Sequence, residues 1–195
     1  MISFPEYIFV TGVPGSKWTG VSETLEATGH FNITDRRDYR SFYHNGGLRH
    51  LGNFFGRRME YEAVLEKQNL DAPFTDNSGS KLIKSHDWAY NLENIQSVFP
   101  TSWILLIYRP NLESFHWWCQ AGGFDIRYPD YSVYKDANTM MYEIAEQNKN
   151  ILKFARSKSA VWYHNSKEFY KKIFDLDINV ENRMDDDNIL LTVIK

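Results

Sequence analysis

Short apolar runs break an otherwise polar chain at Tyr7–Thr11, Lys81–Ser85, Trp103–Tyr108 and Ala160–His164. Each is rich in β-branched or aromatic residues and is bounded by polar or turn residues, the pattern of a strand buried on both faces. Between them, apolar positions recur at helical spacing over Thr19–Ala27, Leu48–Lys67, Leu92–Ser97, Leu112–Ala121 and Ala137–Ser157. In the last of these, Met140, Met141, Ile144, Ile151, Leu152 and Ala155 form one stripe, and Asp136 stands where an N-cap belongs. Strands separated by helices predict an α/β fold with three layers, α/β/α, around a central and mainly parallel sheet. A chain of 195 residues fits one such domain over 1–195. Sheets of this kind take ligands beyond the carboxyl ends of their strands, so the residues after Thr11, Ser85, Tyr108 and Tyr163 are expected to converge on one crevice.

Composition narrows the function. With 43% hydrophobic and 16% aromatic residues the chain can build a core, which excludes a disordered reading. A net charge of −3 provides no global basic field, so no nucleic-acid partner is expected and any anion site must be built locally. The single cysteine, Cys119, excludes an internal disulfide framework and a cysteine-rich zinc site, and it favours a cytoplasmic setting. No histidine or carboxylate cluster has metal-ligand spacing, so no metal is expected. The opening MISFPEYIFVTG has no basic region followed by an apolar core, and no run approaches the roughly 18 apolar residues of a membrane span. Asp71–Ser80 reads as a loop. Gly122–Val133 reads either as an aromatic lid or as a surface loop that packs its own rings, and Phe54, Phe55, Trp117 and Trp118 read as core or as an acceptor pocket.

The candidate chemistry sits at three of the predicted strand ends. Gly12-Val-Pro-Gly-Ser-Lys-Trp-Thr19 joins the first strand to a helix. Its glycines can turn backbone N–H groups inward, while Lys17 and Thr19 add a charge and a hydroxyl at a helix N-terminus. The lysine comes one residue earlier than in G-x-x-x-x-G-K-[ST], and Trp18 separates it from Thr19. In "KLIKSHDW", Lys84 and His86 share a face by strand alternation and place a cation beside a titratable imidazole. In "WILLIYRPNLES", the strand delivers Arg109 to its end, with Asn111 as the expected helix cap and Glu113 in the first turn.

In order and spacing these segments resemble the sulfotransferases that use 3′-phosphoadenosine 5′-phosphosulfate, a family with a P-loop NTPase-like α/β domain. "GVPGSKWT" is similar to the family's phosphosulfate loop, "IKSH" to its Lys-Thr-His segment, and "LLIYRPNLES" to its Arg-led 3′-phosphate motif. "VWYHNSKEFYKKIFDL" is similar to its later Tyr-Glu-Asp-Leu region, so the resemblance extends over residues 7–176. Gly15 stands where the family loop is basic, Trp117 where it has a serine for the 3′-phosphate, with Ser114 one turn nearer, and His164 where it has a glutamate.

The resemblance implies sulfonate transfer to the hydroxyl of a small-molecule or glycan acceptor. His86 is the implied base; Lys84 and Lys17 stabilise the sulfonate and leaving phosphate; Gly15, Ser16, Lys17, Trp18, Thr19, Arg109 and Ser114 bind the nucleotide, whose product form is adenosine 3′,5′-bisphosphate. With an ordinary histidine pKa the rate should rise through mildly acidic pH. Two other readings stand beside this one. A nucleotide kinase would need an acid for Mg²⁺ at a strand end, where Asp87 is the one acid adjacent. A binding module would keep the fold without turnover.

Overall fold

The computed structural model describes residues 3–35, 42–43, 49–50, 65–125, 136–178 and 188–195. Strands β1 (Tyr7–Gly12), β2 (Phe31–Asn32), β5 (Ser80–Lys84), β6 (Trp103–Tyr108) and β7 (Leu190–Ile194) form one sheet in the order β2-β5-β1-β6-β7. Between β2 and β5 in the chain, β3 (Phe42–Tyr43) and β4 (Arg49–His50) form a separate antiparallel pair. The helices are α1 (Trp18–Glu26), α2 (Lys67–Asp71), α3 (Leu92–Val98), α4 (Asn111–Gln120), α5 (Ala137–Ser157) and α6 (Ser166–Phe169).

Helices cover both faces of the three central strands, which are apolar there apart from polar positions such as the buried Lys81 and Lys84 of β5. Tyr7, Phe9, Ile83, Ile104 and Leu106 pack with Leu92, Ile95, Met140, Ile144, Ile151 and Phe154 from α3 and α5. Their neighbours Ile8, Val10, Leu82, Leu105 and Ile107 pack on the other side with Val21 and Leu25 of α1 and with Phe169, Tyr170 and Phe174. Each such side chain contributes about 1.5–3 kcal/mol by leaving water. This is the expected three-layer α/β/α arrangement.

Helix α5 has the predicted bounds and the predicted cap. The Asp136 carboxylate accepts from the Thr139 backbone N–H at 2.9 Å, and the Thr139 hydroxyl accepts from the Asp136 N–H at 3.2 Å. That reciprocal pair satisfies donors the first turn would otherwise leave open.

Several expectations need correction. Ala160–His164 is not a strand: Tyr163 alone makes a bridge to Leu191, through bonds of 2.9 and 3.0 Å. The edge of β6 is taken instead by β7, which runs antiparallel to it from Ile104↔Ile194 to Tyr108↔Leu190. Asn111 is not the cap of α4. The Ser114 N–H bonds the Pro110 carbonyl at 2.9 Å, so Pro110 is the cap and Asn111 the first helical residue. The helix expected from Leu48 is not continuous, since Arg49–His50 is extended and pairs with Phe42–Tyr43. Residues 51–64, with Phe54 and Phe55, and 126–133 of the expected lid lie outside the described residues. No helix among the described residues is long and apolar enough to cross a membrane.

Candidate functional site

The ends of β1, β5 and β6 meet at the turn that follows β1. The Ser16 N–H donates to the Val13 carbonyl at 2.9 Å, with Pro14 and Gly15 between them and Gly15 at φ 77°. Proline followed by a left-handed residue is the requirement of a type II turn. Gly15 has a second reason to be glycine: a Cβ there would lie 1.9 Å from the Ser114 carbonyl oxygen, so the turn is pressed against α4. Lys17 then caps α1 in the left-handed region, at φ 64° and ψ 19°, a conformation that costs a non-glycine residue about 1 kcal/mol. Ser16 is buried between these two left-handed residues, and its Oγ has no hydrogen-bond partner among the described residues.

Arg109 closes the turn from the β6 side. Its Nη1 donates to the Gly15 carbonyl at 3.1 Å. The guanidinium carbon lies 5.6 Å from the centroid of Trp117, and the Lys17 ammonium lies 4.5 Å from the same ring. Trp117 thus brings the two cations onto one aromatic side chain. Ser114 supports Arg109 from behind: its hydroxyl donates to the Arg109 carbonyl at 3.2 Å, and Asn148 Nδ2 donates to that carbonyl at 2.8 Å.

His86 enters from the β5 side. The strand stops at Lys84, and His86 caps a short 3₁₀ turn, Asp87–Tyr90. Its Nδ1 makes a short hydrogen bond to the Gly12 carbonyl. A carbonyl only accepts, so Nδ1 carries the proton and Nε2 is the basic nitrogen. The ring packs edgewise on Trp18, 4.5 Å between centroids. Burial pushes the imidazole pKa down to about 4, against the opposing effects of the Gly12 carbonyl and the charges of Asp87 and Glu143. The imidazole is therefore held in its neutral form through the mildly acidic range where an ordinary histidine would gain a proton.

Lys84 joins this group less directly. Its ammonium lies 3.6 Å from Glu26 Oε1, both side chains almost fully buried in the layer between sheet and α1. Thr19 is half-buried in the first turn of α1, where its carbonyl accepts from Ser22 Oγ at 2.9 Å. His164 and His116 are exposed, and Tyr163 does not end a strand that could bring its neighbours to the crevice.

A further contribution comes from α5, which the motif reading does not include. Glu143 Oε1 accepts from Tyr90 OH and from Gln147 Nε2, each at 2.8 Å. Gln147 and Asn148 interrupt the apolar stripe between Ile144 and Ile151, and both are buried. A polar pair at buried stripe positions is the signal that marks them in the sequence. Searches against protein-family models, curated proteins and solved structures return no match to this chain.

Proposed function

We propose that the chain is a sulfotransferase that takes 3′-phosphoadenosine 5′-phosphosulfate as donor and a hydroxyl compound as acceptor. The observation that carries this reading is the meeting of three strand ends at one turn: His86 on the Gly12 carbonyl, Arg109 on the Gly15 carbonyl, and a buried Ser16 hydroxyl in the same turn. A turn that joins a strand to a helix, with Lys17 and Arg109 gathered on the Trp117 ring beside it, fits an anionic group.

The residues that would hold the nucleotide are Gly15, Ser16, Lys17 and Thr19 at its sulfonate end and Arg109 at its 3′-phosphate. When bound, the nucleotide supplies the sulfonate. The chain supplies the rest. His86 Nε2 takes the acceptor's proton; it is neutral at physiological pH, and a pKa lowered to about 4 makes it a weaker base than an ordinary histidine until a bound polyanion raises it. The Lys17 charge meets the negative charge that develops on the departing phosphate. Lys84 acts through Glu26, holding α1 and hence the loop in place. Trp18 keeps the imidazole oriented.

The Lys84–Glu26 pair also favours a second reading, an anion-binding module without turnover, since that ammonium neutralises a buried carboxylate. Calorimetry with adenosine 3′,5′-bisphosphate and adenosine 5′-phosphate tests the binding half. The bisphosphate should bind more tightly, and Arg109→Ala should remove that preference, about 1.5–3 kcal/mol. Equal binding of the two nucleotides by the unmutated protein would remove the 3′-phosphate assignment. Binding without any sulfonate transfer to a panel of hydroxyl acceptors would leave the module reading.

A further inference from the structure

One helix holds two of the strand ends that carry candidate chemistry. On the β6 side, Asn148 Nδ2 of α5 donates to the Arg109 carbonyl at 2.8 Å and to Asn111 Oδ1 at 2.7 Å. On the β5 side, Glu143 Oε1 of the same helix accepts from Tyr90 OH at 2.8 Å. Tyr90 is the last residue of the 3₁₀ turn Asp87–Tyr90 that His86 caps, and α5 packs against that turn. The stretch of α5 from Glu143 to Asn148, about 7.5 Å of rise, therefore separates the hold on Arg109 from the hold on the His86 turn.

The His86 turn is anchored differently at its two ends. On the core side Trp88 is buried and its Nε1 donates to the Ile83 carbonyl at 3.0 Å, while the Thr11 hydroxyl donates to the His86 carbonyl at 3.4 Å. At the outer end Tyr90 is 47% exposed, and its hydroxyl reaches back to Glu143. Glu143 is itself fixed, because Gln147 Nε2, four residues on along the same helix face, donates to the same oxygen at 2.8 Å. A hydroxyl on a fixed carboxylate is a stronger hold than a neutral pair. What it holds matters for the ring: His86 Nδ1 bonds the Gly12 carbonyl, and the bond made by one ring nitrogen decides which of the two carries the proton.

We propose that Glu143 is a positioning residue for His86: through Tyr90 it seats the turn that carries the imidazole, at a separation from Arg109 that Asn148 fixes from the same helix. The role is more than a helix contact, because the seating selects the tautomer and hence the nitrogen that can take a proton. The carboxylate charge adds to this. Burial disfavours the protonated ring, whereas Asp87 and Glu143 favour it, so Glu143 supports the imidazolium once a proton has arrived. The inference rests on the proposed function for what His86 does with its free nitrogen, but the seating itself requires no nucleotide.

The test is NMR of the uniformly ¹⁵N-labelled full chain at pH 7 without nucleotide, the His86 ring signals being those missing from His86→Asn. In the unmutated chain Nδ1 should carry the proton and Nε2 should be bare. In Tyr90→Phe and in Glu143→Ala the Nδ1 proton should exchange with solvent roughly tenfold faster or more, with the Nε2-protonated tautomer appearing. The Leu105 amide, in the middle of the sheet, should keep its rate. Glu143→Gln retains an acceptor for Tyr90 and should hold the exchange within about threefold of the unmutated chain. Unchanged exchange and tautomer in both Tyr90→Phe and Glu143→Ala would overturn the proposal, as would an equal acceleration at Leu105, which marks loosening of the whole fold rather than the turn. These shifts in a chain that binds no adenosine 3′,5′-bisphosphate would sink the sulfotransferase reading and leave the positioning role standing.

Discussion

The two ends of the central sheet handle polar groups in opposite ways. At the amino end of β1 and β5, Asp71 Oδ1 accepts from Tyr7 OH at 2.6 Å and from the fully buried Lys81 at 2.7 Å, while Lys67 reaches Tyr7 OH at 2.9 Å and Asp71 Oδ2 at 3.2 Å. Glu6 completes the cluster through Lys67. None of its buried side-chain atoms lacks a partner. At the carboxyl end, Ser16 Oγ, Gln147 Oε1 and Asn148 Oδ1 do, and a histidine is buried where its charged form is disfavoured. The amino-end cluster satisfies itself and ties α2 to the sheet, whereas the carboxyl end gathers buried polar atoms that no described residue satisfies.

The largest expected effect separates the two ends by activity. His86→Asn should lower the single-turnover rate of sulfonate transfer by roughly 100- to 10,000-fold while bisphosphate affinity changes little. A variant that keeps the wild-type rate would remove His86 from the mechanism. At the other end, Asp71→Asn leaves the Lys81 ammonium buried beside a neutral amide and should cost about 3 kcal/mol in urea unfolding. Nucleotide binding should be untouched; a matching loss of binding would mean that the two ends are coupled.

Acid should separate the ends along the pH axis, with a smaller effect. The folded pKa of His86 is depressed, so the unfolded chain binds the extra proton first and stability falls as pH drops from about 6.5 toward about 4. At pH 5 the loss is about 2 kcal/mol relative to pH 7. It should be absent from His86→Asn when the two unfolding curves are compared. At Asp71, burial raises the carboxyl pKa, but hydrogen bonds from Lys81, Tyr7 and Lys67 outweigh it and hold the group below its ordinary value of 3.8. Its contribution is therefore present above that pH and lost only below it. A single shared transition, identical in both proteins, would contradict the assignment of the first step to the crevice.

Much of the scaffold is legible in the sequence because it follows from local patterning. β1 and β6 are buried on both faces and read as continuous apolar runs, and α5 announces itself by its stripe and Asp136 cap. The edge of the sheet is less legible. "AVWYH" and "LLTVI" are both short apolar runs, and which of them pairs with β6 depends on partners far away in the chain; Thr192, whose hydroxyl bonds the Val161 carbonyl at 2.7 Å, shows how closely the two run. The buried lysines are similar. Lys81 and Lys84 alternate onto opposite faces, and the acids that neutralise them, Asp71 and Glu26, come from different helices. At the crevice the motifs locate Arg109, His86 and the turn, but the tautomer of His86 depends on its contact with Gly12, and the support of Arg109 from α5 on a register set at Asn148.

The antiparallel strand β7 has a consequence for the order of assembly. β5, β1 and β6 have all been synthesised once Tyr108 has been made, yet on the side away from β1 Leu105 pairs with Val193 and Ile107 with Leu191. Until that late segment arrives, one side of WILLIY is an open row of backbone donors and acceptors on a strongly apolar strand. Such an edge can template pairing with another nascent copy, and contacts so distant in sequence close slowly. The chain thus spends the synthesis of α4, α5 and α6 with its stickiest strand unguarded, and a ribosome that stalls in this interval would release a species prone to aggregate rather than merely an inactive one.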